Sequence, residues 1–172
     1  MAAAAFSAMP GLAGIRTTLP ISAELGTSIA REQFPVTVAL PKARLFLTEP
    51  TLLFIDRQRI GIQVRFQAYD HRPEDGVAIS ETGHAAFSGE LDYDAAERKI
   101  LLHEPRIDRL QFDRRNADAR ALQQELQAAW SAQITDPMRS ELPQHPYLLP
   151  FRENIEDLSF DGDNIIISVN YR

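Results

Sequence analysis

Four histidines, His71, His84, His103 and His145, are the side chains of this sequence best suited to move a proton or hold a metal near neutral pH. No two stand four residues apart, and no carboxylate spacing puts two ligands on one face, so they read as loop or strand histidines. Ser80, His84 and a nearby aspartate have the residue types of a hydrolytic triad, but the glycines of a nucleophile elbow are missing around Ser80. Glu49 and Glu104 sit at matching places in two proline-interrupted segments and could act as paired acids if they faced each other. Charges beside strand-breaking prolines more often protect a sheet edge. Asp161, Asp163 and Asn164 have oxygens for calcium but lack the central glycine and terminal glutamate of a calcium loop, and a hairpin turn explains them better. Arg57, Arg59, Arg65, Arg114 and Arg115 read as a solvated sheet face, with a headgroup-binding or acid-binding patch as the sharper alternative. No catalytic residue, metal ligand or cofactor is assigned on these patterns.

The whole composition narrows the classes further. A chain of 172 residues with 44% hydrophobic content suits one domain with a real core. A net charge of −6 gives no basic field for phosphates, which argues against nucleic acid as a partner. Without cysteine there is no disulfide, thiol chemistry or cysteine-bound lipid. No run approaches the roughly eighteen apolar residues of a membrane-spanning helix. Residues Met1 to Gly14 (MAAAAFSAMPGLAG) are small and apolar with a small-x-small site but no basic start. They read either as the back half of an export signal or as an alanine-rich tail. The domain is expected over 19–172.

The elements that must position any site follow from periodicity. Between Asn116 and Ile134, Leu122, Leu126, Trp130 and Ile134 recur every fourth residue among glutamines, a serine and a glutamate, which predicts a helix of about twenty residues with one apolar stripe. Ser22 caps a short helix with Leu25 and Ile29 on one face, weakened by Gly26 and ended by Pro35. Elsewhere the period is two. Val36 to Leu40, Leu45 to Glu49 and Thr51 to Asp56 read as strands, and Ile60, Ile62, Val64, Phe66 and Ala68 form the clearest one. Asp70 to Gly76 is a loop by composition, and Ala85 to Tyr93 and Lys99 to Phe112 are further strands. Segments 46–52 and 101–107 echo each other, each broken by a proline, which suggests a strongly bent sheet. Asp136-Pro137 reads as a helix restart running to Leu142, Gln144 to Pro150 as extended, and Asp161-Gly162 as the turn before a last strand with Ile165, Ile167 and Val169. The fold class is α+β: a strongly curved antiparallel sheet wrapped around one long helix in the C-terminal half, plus a short N-terminal helix.

In this order the segments resemble the YceB-like bacterial lipoproteins, a family of unknown function. The residues that carry the likeness are Ile21-Ser22-Ala23-Glu24-Leu25 with Phe34-Pro35, Arg59-Ile60-Gly61-Ile62, Gly89-Glu90-Leu91-Asp92-Tyr93-Asp94, Leu102-His103-Glu104-Pro105-Arg106-Ile107 and the proline-interrupted second helix. The likeness covers about Leu19 to the C-terminus. It implies a tubular lipid-binding (TULIP-like) module in which a curved sheet wraps a helix and leaves an apolar crevice, in a carrier or sensor of lipids at the cell envelope. The lipidated cysteine of the family is absent, which points to a soluble periplasmic form, and the region after Pro146 is shorter.

The candidate binding residues are therefore apolar: Leu25, Ile29, Ile60, Ile62, Val64, Phe66, Phe87, Leu91, Leu122, Leu126, Trp130 and Ile134. They are expected to meet along the helix stripe, and a lipid or other hydrophobic small molecule needs them to leave a crevice of a few hundred Å3. The competing expectation is an interaction module without a small ligand. It would form a homodimer or hold an envelope protein partner through a sheet edge or the groove.

Overall fold

Alternation of apolar and polar residues from Ile60 to Ala68 builds the strand at the middle of the larger sheet. The computed structural model describes residues 14–41, 43–70 and 80–171. The alanine-rich start, His71 and nearly all of the loop expected at 70–76 lie outside them. In chain order the elements are β1 (Ile15–Ile21), α1 (Ala23–Arg31), β2 (Val36–Ala39), β3 (Ala43–Phe54), β4 (Arg59–Asp70), β5 (Ser80–Asp94), β6 (Lys99–Phe112), α2 (Ala117–Gln133), β7 (Met138–Glu141), β8 (Ile155–Phe160) and β9 (Ile165–Tyr171). The fold is α+β. A six-stranded antiparallel sheet in the order β2-β3-β4-β5-β6-β7 curls into a half-barrel, and a separate three-stranded antiparallel sheet, β1-β9-β8, packs on it through β8 and β5.

The curl has a visible cause. Pairing of β3 with β4 slips between Thr48 and Thr51, and pairing of β5 with β6 slips between Ser88 and Glu90, so the extra residues fall at Glu49-Pro50 and Glu104-Pro105. Both glutamates adopt left-handed backbone, φ 50° and 48°. These are bulges, each adding a bend and local twist to a strand that flanks the regular β4–β5 pair. The internal echo in the sequence is thus a bending device used twice.

Two cores result. One gathers Ile29 of α1, Tyr93, Leu142, Leu148, Leu158, Ile167 and Val169 between the smaller sheet and the far half of β5. The other packs Ala119, Leu122 and Leu126 of α2 against Val64, Phe66, Ala68, Ala85 and Phe112. Ser22 caps α1 by accepting from the Leu25 amide at 3.2 Å, and Asn116 caps α2 by accepting from Ala119 at 2.7 Å. Gly26, which weakens α1 by propensity, is required by contact: a Cβ there would lie 2.3 Å from Leu52 Cδ2 of β3.

Several expectations are corrected. The helix α2 has 17 residues, ending at Gln133. Asp136-Pro137 does not restart it. Residues 138–141 pair with Lys99–Leu102 as strand β7, and the Asp136 carboxylate accepts from the Glu104 amide instead of capping a helix. The stretch 144–150 is not extended but turned, with the Leu148 and Leu149 amides both donating to the His145 carbonyl. Residues 15–18, placed before the expected domain, pair with β9. Here tertiary pairing overrides local preference, which short segments cannot resist. No helix among the described residues is long and apolar enough to cross a membrane.

Candidate functional site

The C-terminal half of α2 does not lie flat on the sheet. Its N-terminal half is fixed: the Glu81 carboxylate, 2% exposed, accepts from Asn116 Nδ2 at 2.8 Å and from Arg114 Nε at 3.2 Å, and Ala119 and Leu122 are buried beyond it. Further along, a cavity of about 470 Å3 opens between helix and sheet. Leu126, Ala129, Trp130 and Gln133 wall it on the helix side, with Ile134, the C-cap residue, beside them. Every strand of the larger sheet contributes, from Val38 on β2, through Leu45 and Leu47, Ile62 and Phe66, Ala85 and Phe87, and Leu102, Pro105, Ile107 and Leu110, to Met138 on β7. Because β2 and β7 are the opposite edges of that sheet, the curl brings both rims to one space. Trp130 stacks on Phe87, ring centroids 5.2 Å apart at 25°.

All lining residues except Ser88 and Gln133 are apolar, and none is charged. Ser88 is 1% exposed and its hydroxyl accepts from Arg59 Nε and Nη2 at 3.4 Å. Such a volume falls in the usual range of small-molecule sites, about 300–1,000 Å3, and its walls are hydrocarbon and aromatic except at Ser88 and Gln133. What they can do is desolvate an apolar body.

Of the twelve candidate residues, Ile62, Phe66, Phe87, Leu126, Trp130 and Ile134 line the cavity. Val64 and Leu122 are buried in the solid part of the same core. Leu25 and Ile29 of α1 and Leu91 of β5 belong to the other core. Ile60 is half-buried, in register with Gly89 and Phe54, and is not on the cavity wall. Apolar wall from Val38, Leu40, Leu102, Ile107, Leu110 and Met138 escaped the sequence reading. The alternation of Val36, Val38 and Leu40 was the available signal for β2, but nothing local says that two distant sheet edges share a cavity.

The polar candidates disperse. Ser80 Oγ accepts from Gln67, whereas His84 lies by Arg65 and Asp113, so no triad forms. Glu49 and Glu104 are three strands apart, roughly 14 Å along the sheet, and cannot share a proton. Arg59 is 5% exposed, Arg65 meets Asp113 and Arg114 meets Glu81, which breaks up the basic patch. Asp161 accepts from the amides of Asp163 and Asn164, as a turn does; the Asn164 amide first and then Asp163 hold its carboxyl below the ordinary value of 3.8. His145 Nδ1 accepts from the Tyr147 amide, and His103 Nε2 lies 3.2 Å from Asp92. No group of three or more histidines and carboxylates able to hold a metal occurs among the described residues. Neither a scan against protein-family models nor a search of curated proteins finds a match to this chain.

Proposed function

We propose that the protein binds a lipid or another amphiphile, without catalysis, in the cavity between α2 and a sheet wrapped around it, and that it does so in the bacterial cell envelope. The observation that supports this reading most is the cavity wall itself: about 470 Å3 enclosed by apolar side chains, most of them half-buried and therefore still wet in the empty protein. Interiors are ordinarily close-packed, and an unfilled apolar space forfeits dispersion and leaves hydrocarbon in water. An acyl chain would restore both. The likeness to YceB-like lipoproteins with a tubular lipid-binding fold, read from residues such as Leu102 to Ile107, is part of the same proposal and is the basis for the envelope location.

The test is lipid capture. The purified protein, incubated with a mixed lipid extract, is expected to carry one acyl-chain species in native mass spectrometry, and solvent extraction should return that species. Only apo protein after such exposure would defeat the reading. A second reading, an interaction module, draws on one observation: Ile15 and Tyr171, opposite each other on β1 and β9, are 72% and 38% exposed. Sedimentation across a hundredfold concentration range, with and without Ile15→Lys, would reveal such association.

A further inference from the structure

Which way round the ligand sits, and what head group it carries, follow from a gradient along α2. This rests on the cavity being a binding site. Leu126 and Ala129 are buried, Trp130 is half-buried and Gln133 is exposed, all on the same wall. Opposite them, Phe66 and Ala85 are buried at the Leu126 end, while Ile134 and Met138 are half-buried at the Gln133 end. On the helix side the space is therefore closed toward Leu126 and exposed toward Gln133 at the C-terminus of α2, and from Leu126 to Gln133 the helix runs about 10 Å.

The open end has a definite polarity. Helix α2 points its negative end there, and its last turn contains no basic residue. The next carboxylate, Asp136, is exposed and bonded to the Glu104 amide of β6, next to the lining residue Pro105. The Glu104 side chain is 73% exposed. Of the basic side chains on this side, Arg59 is buried, donating to the Glu104 carbonyl at 2.7 Å and to Ser88, Arg139 pairs with Glu97, and the His103 ring lies between Asp92 and Asp136. Inside the cavity no cation awaits an ionised group, and the donors on its wall are only the Ser88 hydroxyl, the Trp130 indole N–H and, at the open end, the Gln133 amide, so a carboxylate drawn inward would find no counter-charge.

We infer that the ligand enters tail first past Gln133 and carries an uncharged, hydrogen-bond-donating head, a hydroxyl-bearing ester of the monoacylglycerol type, in preference to a free fatty acid. The head donates to the exposed carbonyls of the last turn of α2, which have no intrahelical partner.

The sole tryptophan, Trp130, supplies the readout. Lauroyl glycerol and laurate are titrated separately into the full chain at pH 8, below micelle formation, following Trp130 emission. Lauroyl glycerol is expected to bind about tenfold more tightly. Equal or tighter binding of laurate overturns the inference while leaving the binding site standing. Binding of neither, with no lipid captured from extract, removes the site itself. Gln133→Arg, an exposed change that adds the missing basic residue at the open end, should tighten laurate binding several-fold relative to lauroyl glycerol. No effect of Gln133→Arg on laurate places the opening elsewhere and also overturns the inference.

Discussion

Arg59 shows how one side chain can matter for a reason its charge does not suggest. Its short hydrogen bond goes to the Glu104 carbonyl, freed from the ladder by the bulge, whereas the Glu104 carboxylate is 3.6 Å away in solvent. Arg59→Met should thus cost about 2 kcal/mol by orphaning a carbonyl, and Glu104→Gln less than about 0.5 kcal/mol, both read by chemical denaturation. Equal losses would show that the ion pair matters instead. Tyr93 is the converse case. Its hydroxyl is buried without a partner among the described residues, and burial pushes its ionisation above the ordinary 10.0. Because the fold favours the neutral form, its contribution is whole below about pH 10 and is lost as pH rises through the folded value. Tyr93→Phe should leave stability at pH 7 unchanged or raise it by up to about 1 kcal/mol, and should flatten the alkaline limb of a stability profile.

At the scale of elements, α2 is tied by polar contacts near both ends and packed against the sheet between them through Ala119, Leu122 and Leu126. Glu81 ties down its start through Asn116 and Arg114, and Asp136 ties the segment after its end to β6. Asn116→Ala removes both the cap bond to Ala119 and the bond to Glu81, and a loss of about 2 kcal/mol is expected from thermal or denaturant unfolding. The two aspartate turns behave as local units. Asp56, held below the usual carboxylate range first by the Gln58 amide and then by Arg59, and Asp161, held by Asn164 and Asp163, both stabilise their turns above about pH 4. That contribution disappears as pH falls through the depressed folded values, so an Asp56→Ala, Asp161→Ala double variant should melt lower than the parent at pH 7 and together with it at about pH 2.

For the molecule as a whole, the half-barrel and helix enclose a space that a filled core would not leave. Ala129 is buried on its wall. In a packed interior, Ala129→Leu would cost about 1–3 kcal/mol. Here the added carbons have room, and we expect an unchanged or raised melting temperature together with lost lipid uptake. A fall of that size in stability would mean that the space is not open to a side chain.

The apolar stripe of the second helix, the Ile60–Ala68 strand, the Ser22 cap and the Asp161-Gly162 turn are legible locally because caps and periodicity are short-range physics, although the helix itself is shorter than its stripe suggests. The paired prolines announced bends at the right places. The sequence misled at Asp136-Pro137, where a good helix start lost to a sheet edge in need of a partner, and at Leu25, Ile29 and Leu91, apolar residues that fill a second core. Periodicity alone determined which faces must be dry and which helix would carry the stripe. Only the tertiary structure decided which dry faces met and that six of the twelve candidates surround an unfilled space, because a cavity depends on the curl summed over all six strands, a quantity no single segment encodes.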